Sequence, residues 1–352
     1  MTRKEIWYWM SGLSSWGNRT IHRLLEEMGS PEAIFAAKKL PISQMQQEEA
    51  EQKKKEMGKF MEESAGWERQ GIRFLTVEEE EFPARLREIP DSPYFLFLKG
   101  TLPPPGPAVA VVGARKCTAY GRAQAEFFGR FLAEQGVSVI SGMALGVDAS
   151  AQKGARRAGG YTCAVLGTGV DVCYPACHRQ LYEELSICGG ILSEYPMGAR
   201  PLPYHFPLRN RIISGLSDLV LVVEARKKSG SLITADWALE QGKDVLAIPG
   251  RLAELSSEGC NRLIRQGAGI VTEPEDVLQA LGLETGTKDQ KKGVELPPDE
   301  KEVWDCLSFE PKHLEQICQE TGWEIRAILL ILLRLELKGI IRQVGGNQYR
   351  RV

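Results

Sequence analysis

Four short, glycine-rich stretches carry the residue types in this sequence that could hold a phosphate group. They are Gly113-Ala-Arg115, Ser141-Gly-Met-Ala-Leu-Gly-Val-Asp148, Gly167-Thr-Gly169 and Ser229-Gly-Ser-Leu-Ile-Thr234. Small residues let backbone N–H groups approach a ligand, and a helix that begins beside them favours an anion through its dipole and its free N–H donors. One such turn is ordinary in any protein, but four at equivalent places along the chain indicate phosphate binding.

Basic and aromatic side chains accompany these turns. Arg115 follows the first one, and a guanidinium can hold a phosphate through two parallel hydrogen bonds. Phe206 could stack on a base, and Arg209 and Arg211 follow it closely. Because residues two apart on a helix point about 200° apart, one arginine is expected at the phosphate edge and the other at an interface or an internal carboxylate. The cations of the run 226–228 precede Ser229.

The same stretches disfavour several kinds of enzyme. The turn after Gly113 has no second glycine until Gly121, and the sequence has no G-x-x-x-x-G-K-[ST] string, which disfavours a nicotinamide cofactor and a P-loop ATPase. Asp148 and Asp171 are expected to cap a helix or a turn, and no histidine is placed beside Ser141 as a base. The sequence therefore predicts a binding edge with no catalytic residue, no metal site and no cofactor.

These turns need a sheet that brings them together. Apolar stretches without alternation are separated by helical patterns, which is typical of a parallel sheet covered on both faces. We predict a doubly wound, mostly parallel, Rossmann-like α/β sheet, whose ligand lies beyond the carboxyl ends of the strands. The predicted strands are 108–113, 137–140, 161–166, 191–194, 218–224 and 245–248.

Five segments are predicted along the chain. Residues 1–70 are predicted to form a helical domain, with a charged helix over 44–70. Residues 71–107 are predicted to form a connecting segment, which contains short strands at 72–77 and 94–98 and ends in a proline run. The Rossmann-like domain occupies 108–282. A polar linker at 283–298 leads to residues 299–352, where three helices and a β-hairpin predict a winged helix.

Charge and composition narrow the class of protein. The 352 residues carry 44 Lys+Arg and 46 Asp+Glu, which excludes a histone-like protein that binds polyanions by bulk charge. Residues 108–250 contain 15 Lys+Arg against 12 Asp+Glu, so a binding site there must be local. No run is long and apolar enough for a membrane helix, and no signal peptide is expected. The eight scattered cysteines predict reduced thiols in a cytoplasmic protein.

The strings resemble those of the DprA/Smf family of DNA-processing proteins. The resemblance is collinear over about 160 residues and follows the order of the chain. The matching strings are Val109-Ala-Val-Val-Gly-Ala-Arg115, Ser141 to Asp148, Ala164-Val-Leu-Gly-Thr-Gly-Val-Asp171 with Tyr174-Pro175, Leu192-Ser-Glu-Tyr-Pro-Met-Gly198, Phe206-Pro-Leu-Arg-Asn-Arg-Ile-Ile213, Ser229-Gly-Ser-Leu-Ile-Thr-Ala235, Ala247-Ile-Pro-Gly250 and Gly259-Cys-Asn-Arg-Leu-Ile264.

This resemblance implies a non-enzymatic protein that binds single-stranded DNA through the Rossmann-like domain at 108–282, with a SAM-like or helix-hairpin-helix-like domain at residues 1–70. It implies a homodimer that protects strands taken up in natural transformation (competence) and helps to load RecA recombinase in the presence of single-strand-binding protein. The family often has Ser where Ala114 stands and His where Gln152 stands, so a histidine-based reaction is not expected here. The expected DNA- or phosphate-binding residues are Gly113, Arg115, Ser141, Gly142, Gly146, Gly167, Gly169, Phe206, Arg209, Asn210, Arg211, Lys228, Ser229, Gly230 and Lys243.

Two other functions stay open at this stage. Related Rossmann-like enzymes act on nucleotides or nucleoside phosphates, although here Pro249-Gly250 is followed by Arg251 and Leu252, so a P-G-G-x-G-T signature is absent. A regulator that binds duplex DNA through the winged helix is the third possibility. Residues 297–352 carry 8 Lys+Arg against 9 Asp+Glu, which is more typical of a partner or packing module than of a strong DNA reader.

Overall fold

A computed structural model describes residues 1–56, 64, 66–283 and 296–351 of the chain. Contacts divide the chain into two units, Met1–Glu284 and Thr285–Val352. The larger unit is built on a nine-stranded sheet. Its strands are β1 (Ile72–Thr76), β2 (Phe95–Gly100), β3 (Ala108–Val112), β4 (Ser138–Ser141), β5 (Thr162–Val165), β6 (Gly190–Ser193), β7 (Leu219–Val222), β8 (Asp244–Ala247) and β9 (Gly269–Ile270).

The strand order is β1-β2-β6-β5-β4-β3-β7-β8-β9. From β6 to β9 every neighbouring pair is parallel, whereas β1 and β2 run antiparallel to each other and β2 runs antiparallel to β6. The chain leaves β3 in one direction through β4, β5 and β6, and returns to the other side of β3 with β7. This reversal confirms the predicted doubly wound, mostly parallel sheet and creates a topological switch point between β3 and β7.

Helices cover both faces of the parallel strands. Val109 and Val111 of β3 belong to one buried cluster, and Ala110 and Val112 belong to another on the opposite face, which explains why the strand is apolar at every position. The helices that follow β1 are α5 (Ala84–Arg87), α6 (Ala119–Glu134), α7 (Val147–Arg157), α8 (Arg179–Cys188), α9 (His205–Gly215), α10 (Ser231–Glu240), α11 (Glu258–Arg265) and α12 (Glu275–Ala280).

The N-terminal helices pack against the antiparallel end of the sheet. Trp7 stacks on Tyr94 with ring centroids 5.4 Å apart, and one buried cluster joins Trp7 to Phe97 of β2 and Tyr182 of α8. Residues 71–107, predicted as a connecting segment, thus supply two strands of the sheet itself. The N-terminal helices are α1 (Arg3–Ser11), α2 (Asn18–Met28), α3 (Pro31–Ala36) and α4 (Gln44–Glu56).

The second unit has the predicted winged-helix pattern. Its core joins Val303, Ile317, Ile328 and Leu332, while Leu330 and other leucines of its third helix are exposed. The elements are α13 (Pro298–Cys306), β10 (Lys312–His313), α14 (Leu314–Thr321), α15 (Ile325–Leu337), β11 (Ile341–Gly345) and β12 (Gln348–Arg351), and the three strands pair in the order β10-β12-β11.

Some predicted elements differ in extent or lie outside the described residues. The charged helix expected over 44–70 is described as α4 and as the helical residues 64 and 66–68. Residues 57–63 and 65 lie outside the described part, as does most of the predicted linker at 283–298. Helices α8, α11 and α12 and the short edge strand β9 were not predicted. Among the described residues, no helix has both the length and the apolar character needed to cross a bilayer.

Candidate nucleic-acid interface

A cleft of about 380 Å³ opens where the carboxyl ends of β3 and β7 diverge. We call it the central cleft. Its walls are the turn after β3 (112–116), residues of the turn after β4 and the first turn of α7, residues of α9 and of the segment before it, and the loop 226–230 with the start of α10. This is the edge at which the sequence placed the phosphate site. Of the predicted residues, the central cleft brings together Gly113, Arg115, Phe206, Arg209, Asn210, Lys228, Ser229 and Gly230.

Two glycines, Gly113 after β3 and Gly146 in the turn after β4, allow these turns to pack in close contact with each other. A Cβ at Gly113 would lie 2.6 Å from Cγ2 of Val147, and Gly146 has φ +81°, with a Cβ position 2.3 Å from the carbonyl oxygen of Ala114. The Ser141 hydroxyl donates to the carbonyl of Val111 at 2.7 Å. Ser141 and Gly146 therefore shape the cleft wall from behind, and their role is structural.

Arg209 and Asp148 form the floor of the central cleft. Nη1 of Arg209 donates to the carbonyls of Gly142 (3.1 Å) and Val165, and Asp148 accepts from the N–H of Gly142 at 3.2 Å. Burial lowers the pKa of Arg209 to about 10 although Asp148 opposes this change, so the guanidinium is charged at neutral pH. Burial raises the pKa of Asp148. Both groups are committed to holding the β4 turn in place.

Phe206 forms an aromatic platform at the mouth of the cleft. The guanidinium carbon of Arg115 lies 5.1 Å from its ring centroid and that of Arg209 lies 5.9 Å away. Tyr174 contacts the ring at 5.5 Å with a 37° tilt. A Cβ at Gly167 would sit 2.9 Å from the Phe206 ring, so this glycine supports the platform and does not reach the cleft. A half-buried ring next to a free guanidinium suits a base and its phosphate.

The far wall is the loop that leads into α10. The hydroxyls of Ser229 and Ser231 are 2.8 Å apart, and Nδ2 of Asn210 donates to the carbonyl of Gly230 at 3.3 Å, which ties this loop to α9. Lys228 and Arg226 are exposed on it. The charged residues that line the central cleft are the cations Arg115, Lys116, Arg209, Arg226 and Lys228 and the single carboxylate Asp148.

Arg211 does not line the central cleft, although the sequence predicted it as a DNA contact. Its side chain is 2% exposed, and it forms an ion pair with Asp91 (2.9 Å) and a two-point ion pair with Glu194 (2.6 and 2.8 Å). The expected divergence of the two arginines on α9 is confirmed: Arg209 faces the cleft and Arg211 meets internal carboxylates. Arg211 holds α9 to the antiparallel part of the molecule.

Lys243, which the sequence also predicted as a DNA contact, does not line the central cleft. It precedes β8, so it lies at the amino end of the strands, opposite to the cleft. Its ammonium donates to the carbonyls of Ser214, Gly215 and Ser217 at 2.7–2.8 Å, where it satisfies the C-terminal end of α9. Burial lowers the pKa of Lys243 to about 8. Gly169 likewise does not line the central cleft, and a Cβ there would meet Asp171 and the carbonyl of Pro196.

Three residues near the site were missed by the site prediction. Lys116 and Arg226 line the cleft, and Tyr174 lies against Phe206. The sequence carried a signal for two of them, since Lys116 follows Arg115 and Arg226 begins the basic run. Tyr174 gave no signal beyond its place in a family string, because the loop that carries it is brought to α9 only by the fold.

The groups that could catalyse a reaction near the cleft are engaged in structural contacts. Nδ1 of His178 lies 3.0 Å from the carbonyl oxygen of Met143, and Nδ1 of His205 lies 3.0 Å from that of Gly167. Gln152 is buried and donates to the carbonyl of Cys163 at 3.0 Å. Within the described ranges, no three His, Cys, Asp or Glu side chains are placed to hold a metal ion. The arrangement can bind a phosphate and a base, and it offers no evident acid–base pair.

Comparisons with known proteins point to one family. A family model described as DNA recombination-mediator protein A matches residues 73–282, and one described as the DprA winged helix domain matches residues 287–347. The chain is 39% identical to Protein Smf of Escherichia coli over 306 residues, which is 83% of this chain and 81% of that one. It is 44% identical to DNA processing protein DprA of Streptococcus pneumoniae over 205 residues, 58% and 72% of the two chains.

Solved structures agree with this result. The X-ray structure of DNA processing protein A from Streptococcus pneumoniae superposes with a TM-score of 0.67 at 36% identity, covering 79% of this chain and 98% of the other. DNA processing protein A from Helicobacter pylori, whose structure was described for its single-stranded DNA binding mode, superposes with a TM-score of 0.54 at 31% identity, covering 59% and 95%.

Proposed function

The chain belongs to the family of DNA recombination-mediator protein A, also called DprA or Smf, and on that premise we propose that its central cleft binds single-stranded DNA. One observation carries the proposal, namely the contact between Arg115 and Phe206. The guanidinium of Arg115 makes no ion pair within the described residues and is exposed, so it is available to a phosphate. The ring beside it offers a surface for a base. The structural relative from Helicobacter pylori, described for binding single-stranded DNA, supports the same assignment.

The platform favours a single strand over a duplex. Phe206 is half-buried in a cleft wall between Arg115 and Tyr174, and a base can lie on such a ring only after it has left its neighbours in a stack. In a duplex that step costs a few kcal/mol, whereas a single strand is already largely free to make it. The cations around the ring attract the backbone without reading sequence.

The test is a pair of equilibrium titrations. Labelled oligonucleotides of one sequence, single-stranded and hybridised to their complement, are titrated with the full chain at several salt concentrations. We expect tighter binding to the single strand and a log–log salt dependence with a slope of about −0.7 for each phosphate neutralised. Equal or tighter binding to the duplex would contradict the proposal and favour a role for the winged helix in DNA binding.

We further propose that the bound strand is protected and passed to RecA recombinase, as in natural transformation, by a cytoplasmic homodimer. The description of the matched family as a recombination mediator supports this role. The test uses single-stranded DNA covered by single-strand-binding protein, on which RecA nucleates slowly. Addition of the chain is expected to shorten the lag before RecA filaments form, and an unchanged lag would argue against mediation.

We propose that the chain acts by binding and not by catalysis. The supporting observation is the engagement of Asp148, His178 and His205 in hydrogen bonds that hold turns together. Incubation with nucleoside monophosphates and with single-stranded DNA should release neither bases nor shortened strands. Release of either product that tracks with the purified chain would favour the nucleotide-processing alternative.

A further inference from the structure

A second cleft lies on the other side of the loop 226–230. It measures about 390 Å³ and is walled by that loop, by α10 and by α11. We call it the side cleft. Lys228, Ser229 and Gly230 of this loop and Ile233 of α10 line both clefts, so the two spaces adjoin each other across the loop and the start of α10. A flexible ligand that leaves the central cleft across Ser229 therefore enters the side cleft directly.

The side cleft is basic and its cations are uncommitted. Lys227, Lys228 and Arg262 line it, against the one carboxylate Asp236. All three cations are exposed, and none makes a side-chain hydrogen bond or an ion pair with the part of the chain that the structure describes. By contrast, Arg211 and Lys243 elsewhere in the same unit are fully engaged with protein groups. Three unpaired cations around a concave surface attract an anion strongly.

The chemistry of the side cleft suits a phosphate backbone and gives no platform for a base. The residues that line it include no aromatic side chain; the apolar ones are Leu232, Ile233 and Leu263. The central cleft, in contrast, holds one aromatic ring and four exposed cations. Phosphates without base stacking give binding that is independent of sequence and sensitive to salt.

We propose that the side cleft is a second phosphate subsite, which takes the continuation of a DNA strand whose base and first phosphates occupy the central cleft. The inference rests on the proposed binding of single-stranded DNA by the central cleft. It gives the strand a direction across the molecule, from Phe206 over Ser229 to Arg262. It also predicts that affinity depends on length, because a strand confined to the central cleft gains nothing from Arg262.

The experiment compares the affinity of the full chain for short and for long oligonucleotides. Oligothymidines of ~6 and ~20 nucleotides span the range over which single-strand sites are usually filled. The double variant Lys227→Ala/Arg262→Ala is expected to lower the salt slope for the long strand by about 1.4, as two phosphate contacts are lost. Each exposed contact is expected to contribute about fivefold or less to the affinity. Loss of both contacts should therefore lower the affinity for the long strand about tenfold at low salt. Its affinity for the short strand should stay unchanged.

Two matched variants sharpen the result. Arg265 is an exposed cation of the same helix α11, but its side chain lines neither cleft. Arg265→Ala should therefore leave both affinities unchanged. Asp236→Asn removes the opposing carboxylate and should tighten binding of the long strand only. All four positions are on the surface, and thermal unfolding of each variant verifies that it is folded.

The outcomes separate the two claims. If the unaltered chain binds neither oligonucleotide, the proposed function fails and the side cleft fails with it. If the chain binds both, but the double variant lowers the two affinities equally or not at all, only the second subsite is overturned. An effect of Arg265→Ala that is as large, per charge removed, as that of the double variant would also overturn it, because the loss would then reflect net charge and not the cleft.

Discussion

Replacing Arg115 by alanine is the perturbation that most directly probes the central cleft. The guanidinium is exposed and touches the Phe206 ring at 5.1 Å. It makes no ion pair within the described ranges, so its loss leaves no protein carboxylate without a partner. The variant should therefore fold with the stability of the parent chain. Its whole effect is expected to appear in the free energy of DNA binding.

The size of that effect follows from what the side chain can contact. A hydrogen bond to a charged group contributes about 1.5–3 kcal/mol, and the exposure of Arg115 places it at the lower end. The contact with the Phe206 ring already orders the guanidinium before DNA binds, which spares about 0.5 kcal/mol of the entropy cost of fixing this side chain on binding. Together these give about 2 kcal/mol, which corresponds to roughly a 30-fold weaker binding constant.

The salt dependence provides a second, independent number. Four exposed cations line the central cleft, since Arg209 is buried and already bonded to carbonyls. If all four meet phosphates of a ~6-nucleotide strand, the log–log slope is about −2.8, and Arg115→Ala should bring it to about −2.1. Fluorescence anisotropy of a labelled oligothymidine between low and moderate salt measures both quantities.

The chain offers a matched control for this variant. Arg130 of α6 also lies over an aromatic ring, Phe127, at 5.9 Å, with an ion pair to Glu134 at 3.9 Å, and it does not line the central cleft. Arg130→Ala should change neither affinity nor slope. The reasoning is refuted if Arg115→Ala binds within twofold of the parent with the same slope, or if the two variants behave alike.

Three further substitutions test base stacking on Phe206, the internal ion pairs of Arg211 and the capping of α9 by Lys243. Phe206→Leu should weaken binding by about 1–3 kcal/mol through the loss of base stacking, with the salt slope unchanged; a reduced slope in the same titration would instead show that the ring acts by placing Arg115. Arg211→Met leaves the half-buried carboxylates Glu194 and Asp91 without their buried cation and should destabilise the fold by about 3 kcal/mol, as measured by urea unfolding; a variant as stable as the parent would contradict the internal role. Lys243→Met removes the donor from three carbonyls at the end of α9 and should cost about 2 kcal/mol of unfolding free energy while DNA affinity, assayed by anisotropy on the folded variant, stays the same. A weaker DNA affinity without loss of stability would instead indicate that Lys243 contacts the DNA.

The parallel part of the fold was readable from the sequence because burial on both faces leaves a distinct pattern. Strands such as β3 and β7 are apolar at every position, and the Gly-rich turns mark their carboxyl ends. The antiparallel strands were recognised as strands but not as part of the same sheet. Nothing local in residues 72–76 or 95–100 specifies which edge they join. That pairing depends on contacts with β6, some 90 residues later in the chain.

The position of a candidate site residue could be predicted from the sequence where its place along a strand decides that position, and could not where a distant partner decides it. Arg115 follows a strand and lies at the carboxyl edge. Arg211 could not be assigned from the sequence, because its partner Asp91 lies 120 residues earlier in a segment that looked like a connector. Lys243 could have been excluded, since a residue that precedes a strand lies at the opposite end of a parallel sheet.

The central claim is that a single DNA strand lies in the central cleft with a base against Phe206. Photocrosslinking tests this contact directly: an oligothymidine carrying 5-iododeoxyuridine is irradiated in complex with the full chain, and the crosslinked peptides are identified by mass spectrometry. We expect crosslinks at Phe206 or Tyr174, whose rings are 5.5 Å apart. Crosslinks confined to residues 296–351 would contradict it and would place the strand on the winged-helix unit.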